Sequence, residues 1–268
     1  MKLSISDLLP YLDCQYAGQQ RLKANAWGAP GNAVKIGSAV HEYMAWILGD
    51  RKGDEPLIAL SSVEDQRVYE HCISAVKDWI PPFEVKLIEH ALEAELPRGG
   101  VSLQGLLDAL VVDEDGFYWS LQWKTVGRGV NIGSTLEKVR MSPHEIAYHW
   151  LVKESLGIEL AGTILGTFKK HLTKEEQKMG VPIFQLWHLN RTADEAAEAM
   201  QRDIAPVLIS LAIDMSMPRL APRNWTSCLG YYGNSPCPLF GHCHNGLPIM
   251  AMGLIPLEDR YAQEDPAS

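Results

Sequence analysis

A single aspartate inside an apolar stretch limits most strongly what this chain can fold into. The stretch runs from Val101 to Val112, and its branched and apolar residues predict a β-strand around Asp108. A carboxylate on a strand that enters a core is costly to bury unless it is paired or binds a metal ion. The neighbours of Asp108 in space therefore decide which chemistry the protein can perform.

The next segment predicts those neighbours. Residues 113–116 are typical of a hairpin turn, and residues 117–125 predict the returning strand. Because side chains alternate along a strand, Gln122 and Lys124 share one face, with apolar residues on the other. The hairpin brings Asp108 beside that polar face, so an acid, an amide and a lysine cluster on one side of a sheet.

The order of the predicted elements indicates the fold class. Helices are predicted over 4–25, 37–48, 62–79, 143–156 and 192–215, and strands over 85–96, 101–112, 117–125, 159–170 and 181–190. The glycine-rich stretch 126–141 predicts a loop. This order favours an α/β fold with a mixed central sheet flanked by helices. We expect one domain over 1–256, followed by a flexible acidic tail over 257–268.

These residues resemble the core of the PD-(D/E)XK nucleases, and of the RecB-like exonucleases among them. Their pattern is an aspartate in Gly-x-x-Asp, followed across a turn by acid-x-Lys-Thr; here it reads Gly105-x-x-Asp108 and Gln122-x-Lys124-Thr125. The resemblance implies a restriction-endonuclease-like core. It also implies an upstream helical histidine, matched by His41 after small residues.

The resemblance further implies a Mg²⁺- or Mn²⁺-dependent deoxyribonuclease with assigned roles for its residues. The metal would be held by His41, Asp108, position 122 and the main-chain carbonyl of Trp123. Lys124 would orient or help to deprotonate the attacking water. A Gln-x-x-x-Tyr helix follows the lysine in the family, so His144 and Tyr148 would face the DNA here. Either Glu93 or Glu95 would serve as an accessory acid.

Two positions depart from the family pattern. Gln122 stands where the family has Glu or Asp, and His144 stands where it has Gln. A neutral amide can ligate a hard cation through its oxygen, but it lacks the charge that makes such a site bind well. Gln122 is explained either by a deliberate inactivating change or by a natural variant with weak or lost activity.

Two functions from different classes therefore stay open. One is a metal-dependent exonuclease that acts on DNA ends in phage recombination, repair or CRISPR-related processing. The other is a non-catalytic DNA-end-binding or scaffold protein that keeps the nuclease fold. Binding of a divalent metal would discriminate between them.

Four of the five cysteines are divided between the two ends of the chain, at Cys14, Cys228, Cys237 and Cys243. The last three lie in a Pro- and Gly-rich segment, which favours a metal centre over disulfides in a cytoplasmic protein. Thiolates suit a [4Fe–4S] cluster or a structural Zn²⁺, the latter with His242 or His244 replacing Cys14. Phage RecB-like exonucleases hold a [4Fe–4S] cluster with one N-terminal cysteine and a C-terminal trio, so the resemblance favours the iron–sulfur clasp.

Composition sets the remaining limits. The 268 residues are 46% hydrophobic and carry a net charge of −9, which counts against a broad basic DNA-coating surface but not against a local grip on DNA. No run of roughly 18 apolar residues predicts a membrane helix, and no apolar signal core follows Lys2, so we expect a cytoplasmic protein. The implied partners are DNA, a single-strand annealing, recombination or CRISPR protein, and further copies of this chain.

Overall fold

The computed structural model describes residues 1–24, 26–28, 32–97, 100–216, 224, 237, 239, 242–243 and 254–256. The chain divides into two compact units. The smaller comprises Met1–Ala29, Glu95–Leu103 and Arg202–Ser268, and the larger comprises Pro30–Ala94 and Gln104–Gln201. A single domain over 1–256 stays a prediction, and the expected acidic tail lies outside the described residues.

The described elements follow one another in the order β1 (Lys2–Ser4), α1 (Ile5–Asp13), α2 (Gln15–Ala24), β2 (Ala26–Gly28), α3 (Asn32–Leu48), α4 (Val63–Ser74), β3 (Glu84–Glu95), β4 (Ser102–Val112), β5 (Tyr118–Val126), α5 (Ile132–Arg140), α6 (Pro143–Leu156), β6 (Leu160–Lys169), α7 (Lys174–Lys178), β7 (Phe184–Asn190), α8 (Ala193–Ala199), a π-helical turn (Met200–Ile204), α9 (Ala205–Ser216) and β8 (Leu254–Pro256). Among these residues, no helix is long and apolar enough to cross a membrane.

Six of these strands form one mixed sheet, in the order β1–β4–β5–β6–β7 with β3 beside β4. The β4–β5 hairpin is antiparallel, β5 and β6 are parallel, and β6 and β7 are antiparallel. Helices α5 and α6 connect the two parallel strands, because a parallel pair needs a long crossover. The predicted α/β fold with a mixed sheet flanked by helices is confirmed.

One face of β5 and β6 packs on α3. Leu121 and Trp123 of β5 lie in a buried cluster with Val40 and Met44 of α3. Two glycines of β6 make room for large rings of β5: a Cβ at Gly166 would lie 2.3 Å from the ring of Trp123. A Cβ at Gly162 would likewise lie 2.7 Å from the ring of Trp119. The position of Trp123 is therefore fixed by close packing, which matters because its main chain reaches the candidate site.

The predicted helix over 4–25 is wrong in one respect, since the chain breaks at Cys14 into α1 and α2. The two helices approach closely at Gly18, where a Cβ would lie 2.6 Å from the Cα of Tyr11. Both helices pack on α9 within the smaller unit, where the Tyr11 hydroxyl donates to Asp214 Oδ2 at 2.7 Å. Packing around a close helix–helix contact therefore replaces one long helix with two.

Two further predictions are corrected. The stretch 126–141 contains helix α5, which begins after Asn131, whose side chain accepts the N–H of Ser134 as an N-cap. The helix predicted over 192–215 is interrupted by the π-helical turn at Met200–Ile204. Pro206 follows this turn; a proline has no N–H to donate and crowds the carbonyl four residues earlier, so the helical hydrogen bonds widen before it.

Candidate active site

The candidate site, within the larger unit, lies where β4 separates from β5. The two strands are paired from Val112–Tyr118 down to Ala109–Leu121, and the pairing ends there. At the next residue, a side chain replaces the main-chain hydrogen bond between the strands: Asp108 Oδ2 accepts the main-chain N–H of Trp123 at 3.0 Å. The carboxylate keeps 17% of its side-chain surface exposed, so a solute can reach it.

His41 reaches the same point from α3. Its Nδ1 lies 3.3 Å from Asp108 Oδ2, and its Nε2 lies 3.0 Å from the carbonyl oxygen of Trp123. One turn earlier, a Cβ at Gly37 would lie 3.7 Å from the Thr125 hydroxyl, so this part of α3 lies next to the end of β5.

The electrostatic surroundings of His41 favour its protonated form. Burial by itself lowers the pKa of His41, but its hydrogen bond to Asp108 and the charges of Asp108 and Glu89 raise it by more. The net result is a pKa above the usual value. This arrangement concentrates negative potential beside the imidazole, which attracts a proton or another cation.

Gln122 faces the opposite helix, α6, through a polar network. Its Nε2 donates to Glu145 Oε2 at 3.1 Å, and the Thr163 hydroxyl donates to the same oxygen at 2.9 Å. Ser120 extends the network at 2.8 Å from the Thr163 hydroxyl, and His149 Nε2 lies 3.4 Å from it. The predicted alternation along β5 is confirmed, because Gln122 faces α6 whereas its neighbours Leu121 and Trp123 pack with α3.

Burial shifts the proton affinities in this network. Glu145 is 4% exposed, and burial raises its pKa from 4.5 to about 7; hydrogen bonds from Thr163 and Gln122 oppose the shift, and the Asp108 charge adds to it. Burial also lowers the pKa of His149 to about 4. Near neutral pH the helix therefore presents a neutral imidazole and a carboxyl group close to its midpoint of titration.

The predicted DNA-contacting pair sits on the first two turns of α6. The Tyr148 hydroxyl donates to the carbonyl of Leu106 at 2.6 Å, and its ring meets that of His144 edge-on, with centroids 5.0 Å apart. Burial and the nearby Lys124 charge lower the pKa of His144 to about 4, so this ring is neutral. Lys124 itself is exposed. A contact of His144 or Tyr148 with DNA stays a prediction.

The accessory role of Glu93 or Glu95 stays a prediction, and a third acid on the same strand lies near the site. Glu93 and Glu95 are exposed on β3, and the carbonyl of Glu93 accepts the Ser155 hydroxyl at 2.9 Å. Glu89, on the same strand, lies close enough for its charge to raise the pKa of both His41 and Tyr148. Its φ of 45° is in the left-handed region, which is uncommon outside glycine and is often retained where function requires it.

Three of the four predicted metal ligands lie together. His41 contacts both the Asp108 carboxylate and the Trp123 carbonyl, whereas the Gln122 side chain contacts Glu145, and its role as a ligand stays a prediction. Within the described part of the chain, no three His, Cys, Asp or Glu side chains are grouped as a metal site. The donors nevertheless fit Mg²⁺ or Mn²⁺, since Mg²⁺ keeps several waters and needs only one or two protein carboxylates.

The four cysteines of the predicted metal centre belong to the smaller unit. Cys14 is buried at the break between α1 and α2, and its Sγ accepts the N–H of Asn224 at 3.3 Å. Cys237 is buried and Cys243 is half-buried, whereas Cys228 lies outside the described residues. No cysteine-ligated cluster is evident in the described portion of this unit. The iron–sulfur cluster and its zinc alternative stay predictions.

Comparison with solved structures bears on the fold alone. The chain resembles the crystal structure of a "putative exonuclease" from Eubacterium rectale, with a TM-score of 0.53 and 13% sequence identity over 92% of this chain and 88% of that chain. The protein SSO0001 matches with a TM-score of 0.40 and 16% identity, over 85% of this chain and 81% of that one. No protein-family profile and no curated protein matches the sequence.

Two residues of the site escape the sequence motifs. Glu89 lies on the strand predicted to carry the accessory acid, but four and six residues before the two candidates. Glu145 lies beside His144 in the predicted DNA-facing helix, and no motif assigns it a role. The available signal is its place on a mostly buried helix, together with His149 one turn later, because two polar residues so spaced share one face.

Proposed function

We propose that this chain is a metal-dependent DNA exonuclease that acts on DNA ends with Mg²⁺ or Mn²⁺. The contact of His41, Asp108 and the Trp123 carbonyl is the observation that carries the proposal, because three separate parts of the chain converge on it. An imidazole, a carboxylate and a carbonyl oxygen form a donor set for such a cation. The fold shared with the Eubacterium rectale protein supports the proposal at the level of architecture.

The residues divide the work as follows. Asp108, His41, Gln122 and the Trp123 carbonyl would hold the metal, which supplies a more acidic bound water and neutralises phosphate charge. Lys124, exposed on the Gln122 face of β5, would orient that water and pair with the phosphate. Tyr148 holds α6 against β4 through the Leu106 carbonyl, so His144 would meet the DNA backbone from a fixed position.

Gln122 favours a second candidate function, the non-catalytic DNA-end-binding or scaffold protein. An amide in place of a carboxylate removes one negative charge from the strand, which weakens the attraction for a divalent cation. The intact Asp108, Lys124 and His41 oppose this reading, since a scaffold has no need of them together. The two functions differ in whether the folded protein cuts DNA.

A cleavage assay separates the two functions. End-labelled single- and double-stranded DNA is incubated with Mn²⁺ and the wild-type chain, Asp108→Asn or Gln122→Glu, with Glu154→Gln on the exposed side of α6 as a matched charge control. Asparagine can still accept the N–H of Trp123, so Asp108→Asn removes charge with little change of shape. We expect cleavage by the wild-type and control proteins, reduced by ~100-fold or more in Asp108→Asn.

Each other outcome has a defined meaning. Cleavage by Gln122→Glu alone would make Gln122 a disabled metal ligand in a nuclease fold. Absence of cleavage by wild-type and Gln122→Glu proteins that are folded and bind DNA would replace the nuclease with the end-binding scaffold.

We propose in addition that Cys14, Cys228, Cys237 and Cys243 hold a [4Fe–4S] cluster that ties the first helices to the C-terminal segment. The contact of Asn224 with Cys14 supports this, because Asn224 precedes Cys228 by four residues. Cys14→Ala should lose the brown colour and lower the melting temperature, whereas Cys72→Ala, in another part of the chain, should keep the colour. Zinc in a colourless protein by metal analysis would favour the structural Zn²⁺.

The proposed partners follow from the proposed activity. DNA ends are the substrate, and a single-strand annealing, recombination or CRISPR protein would use the processed strand. Association of several copies would support processive digestion, which light scattering of the purified protein tests directly.

A further inference from the structure

Gln122 and Glu145 form a pair in which the amide is oriented by the acid. The Gln122 Nε2 donates to Glu145 Oε2 at 3.1 Å. Because the nitrogen of the amide is used toward α6, its oxygen is directed away from the Glu145 carboxylate. The oxygen is the atom through which an amide can ligate a cation. The hydrogen bond therefore leaves the oxygen, and not the nitrogen, as the atom of Gln122 that could ligate a cation.

Glu145 is itself held firmly. It lies in the first turn of α6, whose start is set by Pro143 and by the Ser142 side chain, an N-cap that accepts the N–H of His144. The Thr163 hydroxyl of β6 donates to the same carboxyl oxygen as Gln122, at 2.9 Å. Three elements therefore fix one carboxyl oxygen, which leaves little freedom in the position of its charge.

This acid is buried without a directly bound cation. Its exposed fraction is 4%, and in the described part of the chain no Lys or Arg forms an ion pair with it. Burying a carboxylate without a cation is costly, and a hydrophobic residue at this point of a helix would avoid the cost. An acid kept at such a place next to a candidate metal ligand is better explained by chemistry than by packing.

We propose that Glu145 supplies the second negative charge of the metal site and acts through Gln122, as a positioning residue that directs and polarises the amide oxygen. Asp108 provides the first charge. The family pattern has the second at position 122 on strand β5, whereas here Glu145 on helix α6 supplies it. A carboxylate that accepts a hydrogen bond from a ligand increases the electron density on that ligand. The inference rests on the proposed metal-dependent function.

The test measures Mn²⁺ binding without DNA. Titration calorimetry and the electron paramagnetic resonance signal of free Mn²⁺ are recorded for the wild-type chain, Glu145→Gln, the exchanged pair Gln122→Glu/Glu145→Gln, and the control Glu154→Gln on the same helix. Loss of a residue that supports a metal ligand typically weakens binding by about 10- to 100-fold, which is the loss expected for Glu145→Gln. The exchanged pair restores the carboxylate on the strand, so we expect its affinity to return close to wild type.

The outcomes separate this inference from the function on which it rests. Wild-type protein that binds no Mn²⁺ and cuts no DNA removes both. Wild-type protein that binds and cuts, while Glu145→Gln binds Mn²⁺ equally well, removes the role of Glu145 alone. Loss in Glu145→Gln without recovery in the exchanged pair overturns action through Gln122.

A second variant covers the case in which Glu145→Gln does not fold. Gln122→Met removes the amide and leaves Glu145 in place, at a residue that is only half-buried. The same loss of Mn²⁺ affinity is expected, and affinity equal to that of the wild type would contradict the proposal. Near-ultraviolet circular dichroism and the melting temperature report whether each variant is folded.

Discussion

Replacing Glu145 by glutamine should stabilise this protein at alkaline pH and leave its stability almost unchanged at acid pH. Glutamine keeps the shape of the side chain and can accept the hydrogen bonds from Gln122 and Thr163. What it removes is an ionisable group whose pKa burial raises to about 7 in the metal-free protein. The effect of the substitution therefore depends on pH in a way that a loss of packing would not.

The magnitude follows from the two pKa values of Glu145. Its pKa rises from 4.5 in the open chain to about 7 in the folded protein, so the folded state holds a proton that the unfolded state has released. The corresponding stability is present below pH 4.5 and is lost as the pH rises to 7. The shift amounts to about 3 kcal/mol over the full window, and to roughly 2–3 kcal/mol between pH 5 and pH 8.

His149 hides this effect in the wild-type protein. Its pKa falls from 6.5 to about 4, so the unfolded chain binds the extra proton and stability rises between those pH values. The two slopes have opposite signs over overlapping windows and largely offset each other. Comparing Glu145→Gln with the wild type at each pH cancels the His149 contribution and isolates that of Glu145.

The assay is urea unfolding followed by tryptophan fluorescence at pH 5 and pH 8, with a chelator to remove divalent metal. Trp119 and Trp123 are buried and report on the core of the larger unit. The gain of Glu145→Gln over wild type should grow by the stated amount between the two pH values. A difference that is the same at both pH values would refute the reasoning. Glu154→Gln, on the exposed side of the same helix, is the charge control.

Three further predictions test the packing and electrostatics around the site. Gly166→Ala places a methyl group against the ring of Trp123 and should lower the unfolding free energy by about 1–3 kcal/mol, measured by urea titration. A variant as stable as the wild type would contradict this packing. Tyr148→Phe leaves the Leu106 carbonyl without its 2.6 Å donor and should cost on the order of 1 kcal/mol by the same method; an unchanged value would make that hydrogen bond irrelevant. Gln122→Glu puts a second carboxyl group beside Glu145, and two neighbouring carboxylates repel each other. The infrared carboxyl bands of the metal-free protein should therefore show one of the two groups still protonated at pH 7. Ionisation of both would count against the 3.1 Å pairing.

Local signals account for the predictions that are confirmed. Helix α6 begins at Pro143 after the Ser142 cap and ends at Gly157, whose φ of 69° is the left-handed conformation that glycine favours at a helix end. The β4–β5 hairpin turns at Gly116, with a φ of 85°. These residues act on their own neighbours in sequence, so their effect can be predicted without knowing the rest of the fold.

The corrected predictions concern where helices begin and break, which the hydrophobic period does not mark. The break at Cys14 accompanies a close approach of Gly18 to Tyr11. Around α5, the glycines in the sequence predict a loop more strongly than the Asn131 cap predicts a helix. The interruption before Pro206 follows from a single residue within an otherwise helical pattern. Periodicity alone cannot weigh such contacts against intrinsic preference.

The candidate site divides in the same way. The sequence by itself determined the strand that carries Asp108, the hairpin, and the face shared by Gln122 and Lys124, because alternation along a strand is a local geometric property. Only the tertiary structure decided that His41 meets Asp108 and the Trp123 carbonyl, and that Glu145 accepts from Gln122. Those partners lie on helices far from the hairpin or across a crossover, and their positions follow from how α3 and α6 pack on the sheet.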